Sequence, residues 1–363
     1  MAPLLTRLGQ AFGFGASTGT TPTTVTGGTK ITSGSDVYHV FTYPNSDSLT
    51  VSGGNLSNAT VLIVGGGGAS NCDDGGGGGA GGVIYGNATV PFIVGNHAVQ
   101  VGKGATMNGN RDYDVETWGM PSFINNQNPA IGIMTAWGGQ GGANHTGTGG
   151  GPYPIDIPKW TNNPWGDTSV PYSHWGSGAG GRVAHPSSEE AAPAPLDPHG
   201  QPYRPNFGSL ITNYGSRGGG ATNSSSWNSG GGGGAADDGN PSVPNVAAPI
   251  RCNGGNGQPF PAFPAPVLAP AIPSPEQSAW SSAVGPTGLF AGGGGGTVET
   301  GGGLDGEAGP GGGASGGNPG VADPAVYGTG GGGGSTGPGG TPDVEQSGGP
   351  GIVIVKFPSA SIG

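Results

Sequence analysis

The chain has 363 residues, 86 of them Gly and 35 Pro, with a formal net charge of -11 and a sequence pI near 4.7. Its ten Lys and Arg are scattered, which excludes the clustered basic surface that grips nucleic acid, and no apolar run reaches the length of a membrane span. Glycine and proline together make up about a third of the residues, as in collagen or low-complexity chains, but the glycines come in blocks rather than at every third position, which excludes collagen.

A hydrophobic fraction of 32% is low for a folded domain. Disordered chains are usually rich in charge, however, and only 9% of this one is charged. The 7 Trp, 9 Tyr and 10 Phe spread between the glycine blocks also argue for order.

The N-terminal "MAPLLTRLGQAFGFGAST" has no apolar core of signal-peptide length. Leu4, Leu5, Leu8 and Phe12 share one face of a short helix that the "FGFG" containing Phe14 ends. Two readings stand: a peptide that docks the chain onto a larger assembly, or a frayed terminus. "TGTTPTTVTGGT" then reads as an extended linker without a packing signal, so residues 1–28 are taken as peptide and linker.

From Lys30 the pattern is one of strands. "DVYHVFTY", "SLTVSGG", "ATVLIV" and "GGVIYGNATV" follow one another, and "PFIVGNHAVQVGKG" holds two short runs around Gly95-Asn96, which predicts a hairpin turn there. "PSFINN" and "AIGIMTAWGG" continue the series. This predicts an antiparallel β module over 29–137. From 138 to 349 glycine blocks alternate with Pro- and aromatic-rich insertions at 152–175, 182–217 and 235–290. The strand candidate Ile352 to Phe357, in a closing segment 350–363, should pair back with the early strands. No stretch reads as a long amphipathic helix.

"LIVGGGGASNCDDGGGGGAGG" follows a strand and matches a dinucleotide-binding glycine pattern trivially. That motif needs a helix whose N-terminus holds the phosphates, and "NCDD" with more glycine cannot propagate one at about 1 kcal/mol lost per glycine relative to alanine. The phosphate-loop lysine is absent too. Glycine as a building material fits better. A polyglycine II chain is a threefold helix rising about 3.1 Å per residue without internal hydrogen bonds. Packed side by side, such helices bond to one another through backbone amides, and any inward Cβ would hold them apart. A five-residue block then spans about 15 Å. Ala and Ser at block edges are the smallest tolerated substitutes.

The motifs "YHVFTY", "TVLIVGGGG", "GGGGGAGGVIYGNATV" and "VQVGKG", the repeated blocks and the closing "GGPGIVIVKF" resemble the glycine-rich domain common in phage virion proteins. The architecture is similar to the distal adhesins of some T-even-like phages and to the glycine-rich domain of anaplastic-lymphoma-kinase-type receptors. The resemblance implies a rigid core of packed polyglycine II helices, with connecting loops that carry receptor contacts. The N-terminal "MAPLLTRLGQAFGFGA" resembles short leading peptides of phage structural proteins, which implies attachment to other virion proteins through Leu4, Leu5, Leu8, Phe12 and Phe14.

Signals for chemistry are sparse. Asp73-Asp74, Asp237-Asp238 and Glu189-Glu190 are acidic pairs of the kind usually found in solvated turns. His39, His97, His145, His174, His185 and His199 show no metal-ligand spacing, and no nucleophile elbow is present. Cys72 and Cys252 stand far apart, which leaves two free thiols or one long-range disulfide. The strongest binding signal is Tyr153, Trp160, Trp165, Tyr172, His174 and Trp175, interleaved with Pro, Asn and Asp. Such rings offer stiff contact area that stacks on sugar faces, or they cap the sides of the glycine lattice. Tyr203, Phe207, Tyr214, Trp227, Phe260, Phe263 and Trp280 pose the same choice.

The expected fold is mainly β and irregular: a short antiparallel β module with packed polyglycine II helices, long Pro- and aromatic-rich loops and almost no α-helix. The expected function is non-enzymatic. It is a phage virion tail fibre or adhesin that binds a host cell-surface glycan or protein; the alternative is a capsid-attached fibre or decoration protein. A secreted or cellular adhesive protein is a third reading. No cofactor, metal, nucleic acid or membrane insertion is expected, and a homo-oligomer, most simply a trimer, is.

Overall fold

The computed structural model describes residues 22–44, 46–70, 75–106, 118–142, 176–180, 210–220, 229–241, 252–297, 305–317, 322–336 and 346–362. The first half of the chain forms β1 (Thr24–Thr26), β2 (Thr29–Ser33), β3 (Asp36–Thr42), β4 (Ser46–Ser52), β5 (Leu56–Val64), β6 (Val83–Phe92), β7 (Gly95–Gln100), β8 (Ser122–Asn125) and β9 (Ile133–Ala136). Later in the chain come β10 (Ile211–Tyr214), β11 (Gln258–Pro259), β12 (Leu289–Phe290) and β13 (Ile352–Pro358), with two short helices, α1 (Ala265–Leu268) and α2 (Gln277–Val284).

They build two main antiparallel sheets, ordered β1-β4-β7-β8-β9 and β10-β6-β5-β13-β3-β2, while β11 and β12 pair separately. The closing strand does pair back: β13 lies between β3 and β5, with Ile354 opposite Val40 on one side and Leu62 on the other. Its period-two pattern serves two cores. Val353, Val355 and Phe357 join Val37, Phe41, Leu49, Ile63 and Ile124 between the sheets, whereas Ile352 and Ile354 join Tyr38, Leu62, Phe263, Trp280 and Phe290 on the opposite face. That second cluster is supplied by the insertion carrying α1 and α2, so the six-stranded sheet is buried on both faces.

Two expectations are corrected. Thr24–Thr26 is not linker: Val25 is buried, and β1 pairs with β4 through Val25 opposite Val51. A Thr-rich stretch with one apolar residue shows no periodicity, yet a three-residue edge strand needs only one inward side chain. Gly95-Asn96 is not a hairpin turn either. Both residues lie within β7, opposite Val51 and Thr50 of β4, because the chain crosses from one sheet to the other between Phe92 and Gly95.

The glycine blocks continue the strands as straight rods. Segment 75–82 shows their geometry most fully. Gly77, Gly78 and Gly79 donate to Gly230, Gly333 and Gln140, on three different segments, at 3.1, 2.8 and 2.9 Å. Ala80, Gly81 and Gly82 then donate to Gly233, Gly330 and Trp137, on the same three segments in the same order. A donor direction that recurs every third residue is the signature of a threefold helix. Three further segments donate to this rod, through Gly180, Gly294 and Gly68 to the carbonyls of Gly77, Gly78 and Gly79. The rod therefore has six neighbours, the hexagonal packing of polyglycine II. Rod 291–297 repeats the arrangement, donating from Gly292, Gly293 and Gly294 to Gly311, Gly255 and Gly78 and accepting from Gly332, Gly309 and Gly232.

The packing distance explains the composition. A Cβ built on Gly77 would overlap the Gly294 carbonyl, and one on Gly294 the Gly333 carbonyl. On outer rods the third direction faces solvent, and there side chains return at spacing three. Lys103 and Thr106 lie outward on one rod, Asn253 and Asn256 on a second, Glu307 and Pro310 on a third. Small hydroxyl residues enter the interior where they replace a lattice bond: the Ser177 hydroxyl donates to the Gly234 carbonyl at 3.0 Å. Ala69 and Ser70, at the edge of the first block, belong to the rod itself, with Ser70 N donating to Gln346 O at 2.9 Å.

Rods and sandwich meet at one end. Val64 of β5 and Ile352 of β13 are register partners at the handover, as are Val83 of β6 and Tyr214 of β10. Ser122 bridges the junction, its hydroxyl donating to Val64 O at 2.6 Å and accepting from Gly102 N at 2.8 Å. Gly77→Val should therefore abolish cooperative folding in thermal unfolding, because the backbone of a neighbouring rod cannot yield. Gly220→Ala, where an added methyl meets nothing, should leave the melting temperature unchanged or raise it by the loss of unfolded-state freedom.

Candidate functional site

The rods have a near end at the sandwich and a far end. Near-end bonds include Gly65 N to Gly82 O and Gly351 N to Gly102 O, each 2.9 Å. Far-end bonds include Gly180 N to Gly77 O at 2.8 Å, Ser229 N to Thr297 O at 3.0 Å and Gly317 N to Ser335 O at 2.9 Å. Both flanks of 71–74, 221–228, 242–251, 298–304 and 337–345 are far-end residues. The array thus brings the departure points of five segments, remote in sequence, onto one surface.

The aromatic insertion is bounded differently. Gly142 before it donates to Ala69 O at the far end, whereas Gly176 after it donates to Gly138 O near the sandwich. Its two attachment points are separated by the length of the array. The expected contact residues Tyr153, Trp160, Trp165, Tyr172, His174 and Trp175 lie outside the described residues, as do Leu4, Leu5, Leu8, Phe12 and Phe14. Tyr203, Phe207 and Trp227 lie outside them too.

For the described later aromatics, the structure shows packing on the six-stranded sheet in place of either an exposed contact or a cap on the lattice. Phe260, Phe263 and Trp280 are buried on the outer face of the six-stranded sheet, and Trp280 Nε1 donates to Gly328 O at 3.2 Å. Tyr214 is half-buried and meets Phe260 edge to face with ring centroids 5.4 Å apart. Trp280→Ala should cost about 3–5 kcal/mol, the range for deleting a fully buried large aromatic, measurable as a lowered denaturant midpoint.

Among the described residues, several titratable groups make structural contacts. Asp237 and Asp238 are exposed turn residues: Asp237 Oδ2 accepts from Asn256 Nδ2 at 2.6 Å and Asp238 Oδ1 from Arg217 N at 2.7 Å. His97 is buried and satisfied, with Nε2 donating to Ile93 O at 2.9 Å and Nδ1 accepting from Gln127 N at 3.0 Å. Burial pushes its pKa below the ordinary value, against the opposing pull of the Ile93 carbonyl. His39 is likewise lowered by burial. Cys252 is a free buried thiol, pushed up to about 12 by burial; Cys72 lies outside the described residues. Among the described residues no cluster of three or more His, Cys, Asp or Glu could hold a metal, and no helix is long and apolar enough to cross a membrane. Cys252 should resist alkylation by iodoacetamide at pH 8 in the native protein and react once the protein is denatured, as read by intact mass.

A two-sheet antiparallel core that passes into hexagonally packed glycine rods defines a mainly β, glycine-rich structural domain. The family model described as the glycine-rich domain matches residues 42–358, and the protein belongs to that family. Comparison with curated proteins gives no match.

Proposed function

We propose that the protein is a non-enzymatic structural protein of a phage virion, a tail fibre or adhesin that attaches to the bacterial surface through loops on a rigid glycine core. The observation that carries this reading is the convergence of the departure points of 71–74, 221–228, 242–251, 298–304 and 337–345 on the far end of the array. Loops held at fixed separations on a stiff scaffold lose little entropy on binding, which favours affinity for a repetitive surface such as a host glycan. The resemblance of the strand and glycine motifs to phage virion domains adds support. In this reading the aromatic insertion with Trp160, Trp165 and Trp175 offers stacking surface along the flank, and Leu4, Leu5, Leu8, Phe12 and Phe14 seat the chain, as a trimer, on the virion. Attachment to the capsid instead of the tail is the second location the N-terminal segment allows.

Purified full-length protein should bind host cells and slow phage adsorption in a dose-dependent manner. Simultaneous Trp160→Ala, Trp165→Ala and Trp175→Ala should weaken that block at least tenfold without changing the melting temperature. Absence of cell binding by the folded wild-type protein overturns the adhesin reading. Imaging of particles carrying a C-terminal label then reports tail or capsid.

A further inference from the structure

The first two strands form a strap across the sandwich. β1 is the edge of the five-stranded sheet and β2 the edge of the six-stranded sheet, so Gly27 and Gly28 between them carry the chain from one sheet to the other. Each strand has one paired neighbour, β4 and β3 respectively. Edge elements with few partners open at lower free energy than the rest of a fold. The crossover itself is tied by two side chains. Gly28 N donates to Asp47 Oδ2 at 3.0 Å, and the Gly27 carbonyl accepts from His39 Nδ1 at 2.6 Å.

His39 lies on β3 between Val37 and Phe41, is 1% exposed, and stacks on Phe357 with centroids 5.7 Å apart. With Nδ1 donating to a carbonyl, the neutral ring keeps its lone pair on Nε2, and Nε2 is buried without a hydrogen-bond partner. A second proton would create a buried N–H⁺ with no acceptor, a costly arrangement. The charged groups around it give no relief. Lys30 of β2 is its direct register partner and repels a positive ring. On β13 its partner is Val355, while Lys356 is engaged with Asp36 at 2.9 Å. Asp47 of β4 is held by Gly28 N.

We infer that His39 is an acid-sensitive latch: protonation expels the ring from the sandwich, breaks its bond to Gly27 and opens the β1–β2 strap while the remaining sheets and the glycine array stay folded. The sign follows from linkage. A histidine whose folded-state pKa is depressed by burial contributes stability that is complete above its unfolded value near 6.5 and is lost as pH falls toward the folded value. The inference stands whether or not the protein is an adhesin.

Hydrogen exchange of the full-length protein, with strap amides 24–33 normalised to those of β5 and β13, tests this. Opening of the strap should rise about tenfold per pH unit below 6.5 down to the folded-state pKa. His39→Asn keeps a donor in the place of Nδ1 without titrating, and should abolish the pH dependence; His97→Gln should leave it intact. Should His39→Asn fail to fold, the ring C–H chemical shifts of wild-type His39 supply the second reading, and their midpoint must lie below 6.5, at the pH where the rise in strap opening levels off. A constant strap-to-core ratio from pH 7 to 4.5 overturns the inference. So does acid opening that persists in His39→Asn, disappears in His97→Gln, or levels off away from the His39 midpoint.

Discussion

Amide hydrogen bonds between glycine rods require backbones closer together than any intervening Cβ permits, and that approach is the constraint on which the rest of the molecule depends. At the six-neighbour rod 75–82, successive N–H groups reach Gly230, Gly333 and Gln140 and then return to the same segments three residues later. The interior so formed is made of backbone. It satisfies its own polar groups, as buried amides must be satisfied, and it contains almost no apolar side chain. A chain with a hydrophobic fraction of 32% can therefore still fold, because the rod part of its core does not draw on hydrophobic side chains. Each interior bond contributes modestly, about 1 kcal/mol net, but each is supported on all sides, so stability comes from repetition.

Such an array has a weakness that the sandwich removes. Glycine rods present the same surface at every step, so nothing in the rods distinguishes one register from another that is shifted along the axis. Strands with buried faces do make that distinction, since a slip by one residue turns every inward side chain outward. The rods leave from β5, β6, β10 and β13, whose partners are set by side chains such as Val64, Ile352, Val83 and Tyr214. Ser122 ties Val64 O and Gly102 N across the same junction. The side-chain core thus sets the register and the backbone core extends it. Both parallel and antiparallel neighbours occur around rod 75–82, as with 229–235 and 329–336, because a glycine helix has no side-chain direction to mismatch.

The strap formed by β1 and β2 is held to the sandwich at its crossover by His39 and Asp47. The two regions answer to different variables: the array to backbone geometry, which pH does not touch, and the strap to one buried imidazole.

The sequence by itself determined the material and most of the strands. Runs of glycine with Ala and Ser at their margins are interpretable as polyglycine II because no other regular structure needs the absence of Cβ so often, and "GIVIVKF" announces a strand. The spacing-three return of side chains at Lys103 and Thr106 or Asn253 and Asn256 is a further signal that was present in the sequence and is recognisable once the outer rods are known. Tertiary structure alone decided which rod touches which, since identical glycines carry no address. It placed Val25 in the core, turned Gly95-Asn96 from a hairpin into the start of a strand in the other sheet, and sent Phe260, Phe263 and Trp280 inward. It also revealed the far-end surface, which no local pattern contains: the ends of 65–70, 291–297 and 329–336 become neighbours only through the lattice. Local patterns report which backbone conformation a segment prefers; they do not report partners, because partnership here is made by main-chain groups that every residue except proline shares.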